Sequence, residues 1–134
     1  MKFFFEVLDA KNGSLISSWG DAYVGIDPKG KTWGSHGIAI EICKVPCVQT
    51  SKKEYQYARV YIEDFTNHTV TAFDGEGNEL FQLGTPGIPG NGTDPIQFGN
   101  VADARIIAAD DSKSTAQVYL SDGDGGIYFK SNYL

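Results

Sequence analysis

The chain has 134 residues, 41% of them hydrophobic and 13% aromatic, and a formal net charge of −6. That length suits one domain. The acidic balance, with basic residues scattered apart from Lys52-Lys53, argues against nucleic acid or an anionic membrane surface as partner, because both require a basic face. No apolar run approaches a membrane span.

Residues 3–8 predict a strand, Asn12-Gly13 a hairpin turn and residues 15–19 the partner strand, closed by Gly20. The opening Met1-Lys2-Phe3-Phe4-Phe5 begins like a signal peptide, but Glu6 and Asp9 interrupt it, so no signal peptide is expected in this chain. Residues 21–35 are rich in Gly, Asp and Pro and predict a loop. Residues 37–42 predict a strand of the kind buried on both faces, and the polar stretch 44–56, with Pro46, an insertion between strands. A second strand over 58–63 ends at Asp64, Asn67-His68 makes a turn, and 69–73 pairs back. A tight turn at 74–78 leads to a fourth strand over 80–83. The Gly/Pro segment 84–99 is neither helix nor central strand. Strands follow at 104–108, at 117–120 and from 127, with a turn at 122–126, and no amphipathic helix is found.

The sequence also repeats itself. Val60-Tyr61-Ile62-Glu63-Asp64 recurs about 58 residues later as Val118-Tyr119-Leu120-Ser121-Asp122. Phe5-Glu6-Val7-Leu8-Asp9 recurs as Thr71-Ala72-Phe73-Asp74, and Ser18-Trp19-Gly20 as Gln82-Leu83-Gly84. Such self-similarity marks a repeat architecture, in which one unit cannot bury its own apolar face. Residues 36–84 form one complete four-stranded antiparallel meander, 1–20 the end of a preceding unit and 100–130 the start of a following one. Meanders repeated around an axis make a β-propeller. The expected fold over 1–134 is therefore all-β, a partial β-propeller of about two four-stranded antiparallel blades.

The ordered set Gly37-Ile38-Ala39-Ile40-Glu41, Val60-Tyr61-Ile62-Glu63-Asp64, Asn67-His68-Thr69-Val70, Phe73-Asp74 and Leu83-Gly84 resembles NHL repeats. The linker from Leu83 through Phe98 is similar to the blade-to-blade linker of that family, and the resemblance extends over about residues 3–129. Departures are the extra chain at 43–56 and Val101 following Phe98-Gly99-Asn100, where the family often places Pro. A closed propeller needs about four to eight blades, so two apolar faces are expected to stay open. The chain then reads as a fragment or as one part of an assembly, with further propeller blades or copies of itself as partners. Tyr119-Leu120-Ser121-Asp122-Gly123-Asp124-Gly125-Gly126 resembles a motif of secreted NHL-repeat-containing proteins, which implies an extracellular or secretory location.

Among the residues that bear chemistry, His36 stands first. In the amidating lyases of the NHL superfamily a segment like Ser35-His36-Gly37 supplies a zinc ligand. Catalytic zinc takes about three protein ligands, and the only other histidine is His68, in a turn. The lyases also place a Tyr where this chain has Asp124. The alternative makes His36 a turn residue near the channel mouth. Asp64 and Asp122 serve either as turn caps accepting backbone N–H bonds or as cation ligands. The run Asp122 to Gly126 reads as a turn, since it lacks the ligand spacing of an EF-hand. Asp110-Asp111 reads as a solvated hairpin tip. Cys43 and Cys47 make either a local disulfide or two free thiols. Asn67-His68-Thr69 and Asn91-Gly92-Thr93 are N-glycosylation sequons, Asn91 lying in the longer loop. Trp19, Trp33, Tyr23 and Phe98 either fill space between blades or line a groove. There is no nucleophile elbow and no sequence-adjacent His partner for either Cys. No catalytic residue and no cofactor are therefore expected. The expected function is a non-catalytic scaffold that binds a protein or glycan partner. The alternative is a zinc-dependent amidating-lyase-like enzyme fragment.

Overall fold

A computed structural model of the chain describes residues 5–20, 25–26, 32–107, 117–123 and 127–132. The strands are β1 (Phe5–Leu8), β2 (Leu15–Trp19), β3 (Gly25–Ile26), β4 (Thr32–Trp33), β5 (Ser35–Ile42), β6 (Ala58–Asp64), β7 (Thr69–Phe73), β8 (Glu79–Leu83), β9 (Val101–Ile107), β10 (Gln117–Asp122) and β11 (Ile127–Asn132). They pair as a β1–β2 hairpin, a short β3–β4 pair, a four-stranded sheet β5-β6-β7-β8 and a three-stranded sheet β11-β10-β9. The fold is all-β and, among the described strands, antiparallel throughout. Among the described residues no helix is long and apolar enough to cross a membrane.

The four-stranded sheet is the meander expected over residues 36–84. Its strands follow one another in chain order because each connection is a turn with its own polar chemistry. Asp74 Oδ1 accepts the backbone N–H of Glu76 at 2.8 Å and of Asn78 at 2.9 Å, which folds β7 onto β8. Asp9 accepts the Lys11 N–H at 2.7 Å in the β1–β2 turn. This is the same Asx device at the corresponding place of the preceding unit. Gly77 has φ +85, and a Cβ there would sit 2.6 Å from the Trp19 ring, so both the turn and the packing exclude a side chain.

The sheets stack face to face. Tyr61, Val70, Ala72 and Leu83 of the meander form one buried cluster with Phe98, Val101, Ala104, Val118 and Leu120. Phe98 comes from the linker and is fully buried, closing that joint from the side. Burying side chains of this size stabilises by about 1.5–3 kcal/mol each. On the opposite face Trp19 of the hairpin meets Phe73 at 5.2 Å between ring centroids, with Phe5 4.9 Å behind it. Every residue of β7 is buried in consequence, as expected of a strand covered on both faces.

Two expectations from sequence need correction, whereas the insertion at 44–56 does lie between β5 and β6 and includes a 3-10 turn over Lys53–Tyr57. The stretch 21–35 contains the β3–β4 pair and the start of β5. The strand over 37–42 is covered on one face only. Ala39 and Glu41 lie toward the core, whereas Ile38, Ile40 and Ile42 are exposed. A run of apolar residues cannot by itself distinguish a strand covered twice from one that presents an apolar face to solvent.

Candidate functional site

The two complete sheet starts are built alike. In the meander Ser35 pairs with Asp64 and Gly37 with Glu63, so His36 is the extra residue of a bulge. In the following sheet Val101 pairs with Asp122 and Asp103 with Ser121, which puts Ala102 in the equivalent place. Asp64 Oδ1 accepts the N–H of Gly34 at 3.1 Å and of Asn67 at 3.0 Å, and its Oδ2 accepts from the Asn67 side chain at 2.8 Å. Asp122 accepts the N–H of Gly99 at 2.6 Å and that of Asn100. Both carboxylates are buried. Each therefore ties the end of a sheet's second strand to the chain leading into its first, and the bonds that hold them are turn and linker N–H groups.

The histidines do not come together as a metal centre. His36 is exposed on its bulge, its ring 6.2 Å from that of Phe65. His68, expected in an exposed turn, is half-buried at φ +59, and its Nδ1–H donates to the Gly99 carbonyl. It is thus a clamp between the meander and the linker. The close approach of Gly84 supports this, since a Cβ there would lie 2.4 Å from the His68 carbonyl oxygen. Among the described residues no three His, Cys, Asp or Glu side chains gather where a metal would sit. Asp110, Asp111 and Asp124 lie outside the described residues, as do Tyr23 and the side chain of Trp33.

Between the two sheets lies a group that sequence reading missed. Glu63 is fully buried and, among the described residues, neither of its carboxylate oxygens has a hydrogen-bond partner. Burial pushes its pKa up to about 7 and the Asp103 carboxylate adds to the effect, while its own backbone, Arg105 and His36 oppose it. The equivalent residue of the next sheet is Ser121. A second buried carboxylate, Glu41, is paired through its Oε2. It accepts from the Tyr61 hydroxyl at 2.9 Å and from Arg59 at 3.3 Å. Burial first, and then the Glu41 charge, hold the Tyr61 hydroxyl protonated far above its usual range.

Cys43 and Cys47 are joined in a disulfide, Cα to Cα 6.2 Å. Arg59 also donates to the Cys47 carbonyl at 2.8 Å, fastening the looped segment to β6. The 3-10 turn beyond it lays Tyr55 against Gly75, and Lys52 reaches Glu76 at 3.5 Å. A cleft lined by Pro46, Cys47, Val48, Gln49, Thr50 and Gln56 opens beside the disulfide. Of the two sequon asparagines, Asn91 is exposed while Asn67 is buried against Asp64. Trp19 and Phe98 pack between sheets rather than lining a groove.

Stacked antiparallel sheets, each locked by a buried aspartate at one repeated position, define a repeat-built all-β protein. Comparison finds its likeness among NHL-repeat proteins. Sixty residues, 45% of the chain, are 42% identical to NHL repeat-containing protein 3 of Mus musculus. Sixty-three residues, 47% of the chain, are 36% identical to NHL repeat-containing protein 3 of Homo sapiens. The matched stretch spans 16% of the length of each relative. No protein-family model and no solved structure matches the chain.

Proposed function

We propose that the chain is a non-catalytic segment of an NHL-type β-propeller, a rigid scaffold whose turns meet a protein or glycan partner. Further propeller blades, or copies of the chain, close its open face. One observation carries this reading. Ile38 and Ile40 of β5 hold the same positions as Ala104 and Ile106 of β9 by strand register. Ala104 is 1% exposed beneath the meander, whereas Ile38 and Ile40 are 53% and 58% exposed. The β1–β2 hairpin corresponds to β7–β8, with its Asx turn at Asp9 and positive-φ Gly20 matching Asp74 and Gly84. The hairpin covers Phe73 through Trp19. The part of the face lying over β5 is what a counterpart of β5–β6 would cover.

The disulfide suits an oxidising compartment, which favours an extracellular or secretory location. The test is solution mass by light scattering across a range of concentrations. Association into a defined oligomer is expected. A monodisperse monomer that unfolds in one cooperative step overturns the reading.

A further inference from the structure

We propose that Asn91 carries an N-linked oligosaccharide and that Asn67, the other acceptor sequence, does not; this rests on the secretory location argued above. Both asparagines stand two residues before a threonine, the spacing that an acceptor requires. The structure separates them. Asn91 sits exposed between Gly90 and Gly92, so no neighbouring side chain along the chain crowds its amide. Its loop is held from below. Gly90 donates to the Phe98 carbonyl at 2.9 Å, Gln97 donates to the Gly92 carbonyl at 2.9 Å, and Thr93 bridges to Ile96. The amide therefore projects from a turn whose backbone bonds do not involve it. A large solvated group can be added there without disturbing a contact.

Asn67 is the opposite case. It is 4% exposed, and its side-chain amide donates to Asp64 Oδ2 at 2.8 Å. A sugar on that nitrogen would expel the side chain from the turn. It would also leave part of the buried Asp64 carboxylate without a partner, which is costly. The reaction itself is a transfer from a lipid-pyrophosphate-linked oligosaccharide. The amide nitrogen forms a C–N bond to the sugar's C1, the C1–O bond to pyrophosphate breaks, and the amide gives up one proton as the lipid pyrophosphate leaves. Transfer to the growing chain precedes folding. The fold then accommodates the chain modified at Asn91 and rejects the one modified at Asn67.

The test expresses the full chain behind a cleavable secretion leader in a eukaryotic cell. Site occupancy is read by peptide mass mapping of both secreted and retained material, before and after peptide N-glycosidase. Secreted protein is expected to carry one glycan. Asn91→Gln is expected to remove it entirely, and Thr69→Val, which cancels the other sequon while conserving volume, to leave it in place. An unmodified Asn91 in either fraction, or secreted protein bearing sugar on Asn67, overturns the proposal. Because the leader supplies the secretory route, occupancy of Asn91 tests the site alone and leaves the natural location of the chain to be decided separately. The scaffold reading is decided apart, by light scattering of unmodified bacterial protein.

Discussion

Asp64 and Asp122 each close a second strand and reach back to the chain that leads into the first. Removing either carboxylate strands buried N–H groups, which costs about 1–3 kcal/mol per group. Asp64→Ala and Asp122→Ala are each expected to lose about 2–4 kcal/mol in urea unfolding. Asp103→Ala is expected to stay within about 0.5 kcal/mol, because its pair with Arg105 is solvent-exposed. Equal effects at all three sites would refute the lock. Glu63 makes a prediction of opposite character. Its folded pKa, about 7, lies above the ordinary glutamate value of 4.5. The fold thus favours the protonated acid, and its contribution is complete below the lower value. As pH rises from 4.5 to 7 the unfolded chain releases its proton first and stability falls, by something on the order of 3 kcal/mol. Above pH 7 the contribution is gone. Urea midpoints of wild type minus those of Glu63→Gln, taken from pH 4.5 to 8, isolate this group from the other carboxylates. A difference that does not fall with pH would refute the assignment.

At the level of elements, the disulfide segment is the least regular part of the meander and the most heavily tied. Arg59 of β6 holds it at one end, and Glu76 and Gly75 of the β7–β8 turn meet its Lys52 and Tyr55. The covalent loop is short, so chain-entropy bookkeeping assigns it only about 2 kcal/mol. Reduction by dithiothreitol is expected to lower stability by that amount while leaving the far-UV signature of the sheets intact, which chemical denaturation followed by circular dichroism checks. The meander itself was legible in sequence, and the reason is local. Strands such as Thr69–Phe73 and Leu15–Trp19 are bounded by Asx and Gly turns whose chemistry involves residues two to four apart. The repeated Val-Tyr-x-x-Asp run was legible because alternate apolar positions and a buried aspartate recur at the same register. What was not legible depends on partners far along the chain. His68 is fixed by Gly99, 31 residues on, and Glu63 is buried by a sheet that begins at Val101. The exposure of Ile38 and Ile40 was hidden for the same reason, since an apolar run records the demand for cover and not whether cover is present.

For the whole molecule, the decisive quantity is the apolar area left over after the sheets have stacked. Ile38, Ile40 and Ile42 alternate along β5 and all point to one face, 53%, 58% and 65% exposed. Covering what remains exposed of each would contribute about 1–2 kcal/mol, and all three together about 3–5 kcal/mol. Bringing two chains together costs an estimated 4–15 kcal/mol in lost freedom. The stripe alone therefore supports weak, concentration-dependent association, and tight assembly requires that the edge of β1, unpaired among the described residues, also gain a strand. This balance makes the stripe testable by substitutions that keep β-propensity and remove hydrophobicity. Ile38→Thr with Ile40→Thr retains branching at Cβ, so the strand is expected to persist. Because these side chains are solvent-exposed, monomer stability is expected to change by no more than about 0.5 kcal/mol per site. Solution mass is the quantity that should respond, shifting toward monomer at concentrations where the wild type associates. An unchanged mass alongside an unchanged urea midpoint would mean that association runs through another surface. The β5 face would then lose its claim to be the joint where the rest of the preceding sheet belongs.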